Sequence, residues 1–225
     1  MQECVLSTDR RSVRTRQALR DALAREIDAT GDLSRVTVTS VTERAGVTRR
    51  TFYSHFRDIP DLVTQIEDDA LAELRAPLAR LAACHLDELR DALDHGRPAP
   101  GAAELLRCVR DRGNYLRPLL GEGGDPAFAE RIKKVVYEVV GPRALDGLNL
   151  RALGPLFDYY LTFAISAEVG VLLRWLDGGM REDVGVMARL MTALMFVRPG
   201  DLYDNPIDLD LPSFALAAMC SEEDN

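Results

Sequence analysis

The apolar positions of this chain recur at intervals of three and four, the spacing of one helix face, in block after block between turn signals. After a polar arm over residues 1–12, where Arg10 and Arg11 are suited to reaching phosphates or to fraying, Ala18, Leu19, Ala22, Leu23 and Ile27 mark a helix from about Val13 to Thr30. Arg14, Arg16 and Arg20 lie mostly off its apolar side. Gly31 ends it, and Leu33, Val36 and Val38 are placed to close a small core. Asp58 opens a later helix, with Asp61 three positions on and Pro60 in the first turn, where a missing N–H costs little. Leu62, Ile66, Ala70 and Leu74 form its stripe. Pro77 is expected to kink or break it, with Leu78, Leu81, Cys84, Leu89 and Leu93 carrying the pattern on.

The loop GRPAPG, Gly96–Gly101, interrupts the pattern, which resumes over Ala102–Asn114 on Leu105, Leu106 and Val109. Tyr115 to Leu120 follows, bent by Pro118, and GEGGD, Gly121–Asp125, makes a second loop. That loop lacks the Lys and the preceding strand of a phosphate-binding loop. Pro126 opens a helix bearing Phe128, Ile132, Val135, Val136 and Val139, with Gly141-Pro142 expected to stop it. Gly154-Pro155 starts the most apolar long segment, with Leu156, Tyr160, Phe163, Ala167, Val171 and Trp175 at helical spacing. Small residues there, Ala164, Ala167 and Gly170, permit close helix contact, and Gly178-Gly179 ends the segment. A second helix, about Glu182–Phe196, carries Val186, Leu190, Ala193 and Leu194, with Val197 just beyond and methionines 187, 191 and 195 at every fourth position.

The stretch TVTSVTERAGVTRRTFYSHF, Thr37–Phe56, reads as helix, tight turn and helix. Thr37 can cap the first helix, and Val38, Val41 and Ala45 form its stripe. Gly46 suits a left-handed turn residue, Val47 is its buried member, and Thr48 can cap the second helix. Phe52 and Phe56 face inward; Arg50 and Ser54 point away, flanked by Thr51, Tyr53 and His55. Arg49 and Arg50 occupy the first turn, where a cation opposes the helix dipole. Two arginines there make sense if a polyanion meets that end, as when the second helix of a helix-turn-helix presents Arg to base edges.

This segment resembles the TetR/AcrR family of bacterial transcriptional regulators. The match runs through Thr37, Val41, Glu43, Ala45-Gly46-Val47, Thr51-Phe52-Tyr53, His55-Phe56 and Leu62. The resemblance implies an all-α homodimer. A three-helix DNA-binding head (1–57) would precede a larger helical effector-binding and dimerisation body (58–197) and an acidic C-terminal tail or arm (198–225). Its body also resembles one TetR-family C-terminal type over roughly Ala103–Phe196, ending in Trp175-Leu176-Asp177-Gly178-Gly179. Two positions depart from the family: Thr42, where Ala is usual, and Ile59, where a phosphate-touching Lys is frequent.

Charge sharpens this picture. The net charge of −8 argues against a non-specific coat on nucleic acid, yet residues 1–57 hold eleven Arg against seven acids. The head is therefore +4 and the remainder −12, which suits a protein touching DNA at one end. Cys4, Cys84, Cys108 and Cys220 show no metal-ligand spacing, and the histidines at 55, 85 and 95 are scattered, so no metal or cofactor is expected. With no signal peptide or membrane-spanning run, a cytoplasmic location is the default.

The function that the resemblance implies is a dimeric regulator on a near-palindromic operator, more readily a repressor than an activator, released by a small effector, for which an apolar or aromatic molecule fits best. Arg49 and Arg50 are assigned to base edges; Thr37, Thr48, Thr51, Tyr53 and His55 to phosphates or neighbouring contacts. Ile66, Leu81, Cys84, Val109, Tyr115, Tyr137, Phe157, Tyr160 and Phe163 are candidate pocket walls, each with ordinary core as its competitor. Ala167, Val171, Trp175, Met187, Met191 and Met195 are candidates for a four-helix dimer interface. Rival readings are a DNA-binding or protein-interaction module without an effector, and an all-helical enzyme, for which no catalytic constellation declares itself.

Overall fold

A computed structural model describes residues 2–144 and 156–195, and these form helices joined by short turns. In chain order they are α1 (Gln2–Thr30), a 3₁₀ turn (Leu33–Arg35), α2 (Val38–Ala45), α3 (Arg49–Tyr53) and α4 (Ile59–Ala82). Then come α5 (Leu86–Asp94), α6 (Ala102–Arg110), α7 (Gly113–Leu120) and α8 (Pro126–Ala144). The described chain closes with α9 (Leu156–Asp177) and α10 (Val184–Leu194). The tail from residue 198, with its cluster Phe214–Met219, lies outside the described residues, as do Gly154-Pro155, Phe196 and Val197. Among the described residues no helix is long and apolar enough to cross a membrane.

Several elements run differently from the sequence expectation, each for a local reason. The first helix takes in the expected polar arm and begins at Gln2, because residues 2–12 contain no Gly or Pro to stop it. α4 passes through Pro77 without ending. Proline there leaves the Glu73 carbonyl without its helical donor, and the Cys108 thiol of α6 donates to that oxygen at 3.9 Å. The pattern beyond Ala82 belongs to a new helix, α5, whose entry is fixed by the Glu88 carboxylate accepting from the His85 N–H at 2.8 Å. The expected Ala102–Asn114 helix divides at Asp111-Arg112 into α6 and α7. α8 continues past Gly141-Pro142 to Ala144, since a proline in the last turn forfeits only one hydrogen bond.

One apolar core runs from the first helices into the body without a seam. Leu19, Val41 and Phe52 join Leu62, Ile66 and Ala70 of α4, then Phe128 and Ile132 of α8 and Phe157, Leu161 and Ile165 of α9. Phe52 and Phe128 are fully buried, each worth about 1.5–3 kcal/mol relative to exposure. A second cluster gathers Ala99, Leu106, Trp175, Val184, Met187 and Ala188, where α10 packs on α6. The Gly96–Gly101 loop is tied to it by the Ala99 N–H, which donates to the buried Thr192 hydroxyl at 2.8 Å.

Candidate nucleic-acid interface

α2 is closed at its start by a reciprocal cap. The Thr37 hydroxyl accepts from the Ser40 N–H at 3.1 Å, and the Ser40 hydroxyl accepts from the Thr37 N–H at 3.2 Å. Its far end turns at Gly46, whose φ of +67° is left-handed and strain-free for glycine alone among common residues. The Val47 N–H then donates to the Thr42 carbonyl at 3.0 Å. Thr42, the departure from the family pattern, is buried, and its hydroxyl donates to the Val38 carbonyl at 2.8 Å, so the added polar group is satisfied within α2. An ion pair between Arg44 and the buried Glu26 ties α2 to α1.

α3 is short, and its orientation is fixed at both ends. Thr48 accepts from the Thr51 N–H at 3.1 Å, with the two hydroxyls 2.9 Å apart. Phe52 is fully buried against Phe56, ring centroids 5.7 Å apart. Tyr53 sets its ring edge-on to Phe52 at 5.6 Å yet stays 59 % exposed. Thr37, Thr48, Arg49, Arg50 and Tyr53 are exposed, and Thr51 and His55 half-buried, so the sequence-assigned residues all sit on α3, its flanks or the start of α2. Arg49 Nη2 donates to the Thr39 hydroxyl across the turn at 2.6 Å, a partner that the sequence pattern did not single out. Ile59 starts α4 half-buried on the core, so it presents no cation there.

Residues 22–66 match the family described as bacterial regulatory proteins, tetR family, and residues 97–196 match the one described as transcriptional regulator C-terminal region. The chain belongs to the TetR family of transcriptional regulators. It is 32 % identical over 181 residues to a Bacillus subtilis (strain 168) protein described as an uncharacterized HTH-type transcriptional regulator, YxbF. That match covers 80 % of this chain and 44 % of YxbF, so the chain spans less than half the length of that relative. Among solved structures, the dihydroxyacetone kinase operon activator DhaS shares the fold at a TM-score of 0.52 and 12 % identity, covering 80 % of this chain and 93 % of its own.

The TetR-type head is joined to its body mainly through α1 and α7. Arg20 lies over the Tyr115 ring at 4.3 Å, Asn114 donates to Asp21 at 3.1 Å, and Arg117 pairs with Asp28 at 3.3 Å. The GEGGD loop meets the same place: the Leu33 N–H donates to the Gly123 carbonyl at 2.7 Å. A Cβ on Gly123 would stand 2.4 Å from the Gly31 carbonyl oxygen, so only glycine permits this approach. A cleft of about 470 Å³ beside the contact is lined by Asp32, Leu33, Ile59, Val63, Gly124 and Asp125 among others. Sequence periodicity held no signal for this junction, because a cation over a ring, polar side-chain pairs and a backbone hydrogen bond leave no periodic pattern.

The candidate pocket residues do not converge on one cavity in this TetR-type body. Ile66, Val109, Tyr115 and Phe157 are buried side chains of the main core. Leu81 packs on the second cluster, and Cys84 is half-buried with its thiol pushed up by burial and the nearby Glu88 carboxylate. Tyr137, Tyr160 and Phe163 point outward, 41, 48 and 71 % exposed, with the Tyr137 hydroxyl donating to Asp158 at 3.0 Å. The inward face of α9 is Phe157, Leu161, Ile165, Val169, Leu172 and Leu176, one step round from the face that the spacing suggested. α9 is apolar on all sides, so periodicity could not fix its rotation.

The candidate dimer residues divide in the same way. Trp175 and Met187 are each 3 % exposed inside the second cluster, with the indole N–H donating to the Glu182 carbonyl at 3.3 Å, and so are closed to a partner. Val171 and Met191 are half-buried against that cluster, while Ala167 and Met195 are exposed. Steps of four advance about 40° beyond a full turn, so the methionine ladder winds from the core at Met187 to the surface at Met195. On α9 and α10 the large apolar side chains left outside are Tyr159, Tyr160, Phe163, Val186 and Leu190, with Met195 exposed just past the end of α10.

Proposed function

We propose that this TetR-family chain acts as a homodimeric transcriptional regulator that reads a near-palindromic operator, one head per half-site. The observation that carries the reading is the exposed face of α3: Arg49, Arg50 and Tyr53 stand outside while Phe52 anchors the helix from within. Arg49 and Arg50 take base edges, and Thr37, Thr48, Thr51, Tyr53 and His55 take phosphates or adjoining contacts. The exposed apolar side chains of α9 and α10 supply the dimer contact, Tyr159, Tyr160 and Phe163 from α9, and Val186 and Leu190 from α10 with Met195 just past its end. Repression by promoter occlusion is the simplest output, since it asks only for tight binding. Footprinting on DNA upstream of its own coding sequence, at near-physiological salt, tests this. A compact protected palindrome supports the reading; binding that follows salt and ignores sequence overturns it.

Release by a small apolar or aromatic effector belongs to this proposal and is tested by screening such compounds for loss of the footprint. A second reading, a body that serves as dimer scaffold or protein contact with no small-molecule effector, is favoured by a specific observation. Ile66, Val109, Tyr115 and Phe157 are packed as core rather than as the walls of a cavity. Compounds that release DNA while raising the melting temperature of the free protein would decide for the effector.

A further inference from the structure

Arg49 and Arg50 are neighbours at the start of α3, yet the structure treats them differently. Arg49 donates through Nη2 to the Thr39 hydroxyl at 2.6 Å, and no such protein partner holds Arg50 among the described contacts. Thr39 stands in the first turn of α2, the part made rigid by the Thr37–Ser40 reciprocal cap, and α2 is tied to α1 through Arg44 and Glu26. A long, rotamer-rich side chain is thereby tethered to a fixed point before any ligand arrives. The tether uses one of the five guanidinium N–H donors, leaving enough for a two-pronged approach to guanine O6 and N7. Ordering Arg49 in advance removes part of the entropy otherwise lost on binding.

We propose that Thr39 is a positioning residue that sets the base selectivity of Arg49, acting through the guanidinium rather than by touching DNA itself. This rests on the reading of α2 and α3 as a DNA-reading pair. It makes Arg49 the preorganised reader, and Arg50 a side chain that orders only on contact. A mere surface staple between α2 and α3 would affect stability and leave base preference alone.

The test is selection of binding sites from a randomised duplex library, followed by affinity measurement on the selected duplex and on unrelated duplex at one salt concentration. The proteins are the full chain, Thr39→Val, Thr39→Ser, Arg49→Ala and the Thr39→Val/Arg49→Ala double variant. Val keeps the shape of Thr without the acceptor, and Ser keeps the acceptor. The expected result is a loss of about 3- to 10-fold for T39V on the selected duplex and under about 2-fold on unrelated DNA. T39V should also flatten preference at the base pair flattened by R49A, T39S should restore it, and T39V should add under about 2-fold in the R49A background. Equal loss on both duplexes, or a full T39V effect without Arg49, would overturn the proposal by making Thr39 a direct phosphate contact or a structural staple. Failure of the unaltered chain to enrich any sequence would instead overturn the DNA-reading assignment itself.

Discussion

Glu67 offers a test of the packing between α4 and α8 that can be worked through in numbers. Its side chain is 2 % exposed and pairs with Arg131, while its Oε1 is buried without a donor and the Asp125 carboxylate lies nearby. Burial, reinforced by the negative charge of Asp125 and opposed by Arg131, pushes the carboxyl up from 4.5 to about 7. Raised in the folded state, this acid favours folding in full below about pH 4.5, and that contribution is lost as pH rises through about 7. The window is worth about 3 kcal/mol at 1.36 kcal/mol per pKa unit.

Glu67→Gln removes the titration and keeps the geometry. The amide oxygen can accept from Arg131, and the uncharged amide nitrogen occupies the buried place of Oε1 without adding a negative charge beside Asp125. Arg131 retains its pair with Asp68. Urea unfolding of both proteins between pH 5 and 8 should show the variant gaining on the parent by about 2.5 kcal/mol across that range, or ~5–10 °C in melting temperature. Glu168, pushed to about 7 by burial, titrates in both proteins and cancels in the difference. Parallel pH curves, with the variant less stable throughout, would refute the reasoning and show Glu67 ionised and stabilised by Arg131.

Further tests address the other assignments. Arg50→Ala should cost about 1–3 kcal/mol on the selected operator and relax its base preference, measured by fluorescence anisotropy; equal loss on random DNA would reduce Arg50 to a phosphate contact. Phe163→Asp should leave the melting of the isolated chain nearly unchanged, because the ring is 71 % exposed, and weaken self-association about 100-fold by sedimentation. An unchanged association constant would remove α9 from the dimer contact. Gly123→Ala must displace the loop from Gly31, so hydrogen exchange at the Leu33 amide should quicken; retained protection there would show that the loop yields without releasing the head.

What the sequence revealed follows from where burial is one-sided. α2 and α4 each bury one stripe, so Val41 and the Leu62-to-Leu74 series could be assigned to the core from spacing alone. The turn was equally legible, because Gly46 and the capping threonines are chemical signals with few other uses. α9 was not, since an apolar helix shows no preferred face until its neighbours are known, and Tyr160 and Phe163 were set inward when they point out. Pro77 does not break α4, one of the two outcomes expected of it: the Glu73 carbonyl that proline leaves without a helical donor accepts from the Cys108 thiol of α6. Arg20 on Tyr115 escaped notice because a surface-reading Arg and a pocket-reading Tyr gave no hint of each other.

That contact bears on how a signal in the body would reach the DNA. α1 is fastened to α7 by Arg20, Asn114 and Arg117, and to the following loop by the Leu33–Gly123 hydrogen bond. α4 shares Leu62 and Ile66 with the core of the head. A head so held cannot swing on a loose linker; it must move with α7 and its loop, or with α4. These two routes come together at Glu67 of α4, which pairs with Arg131 of α8 and is raised in pKa in part by the charge of Asp125 at the end of the loop. A change there shifts one route against the other, whereas a change in the second cluster around Trp175 meets α4 only at its far end, through Leu81. DNA affinity measured alongside the pH series can therefore separate coupling from stability. If the junction transmits, operator affinity of the parent chain will drift between pH 6 and 8 and that of Glu67→Gln will not. Equal drift in both would place the transmission elsewhere, even if the stability difference appears as expected.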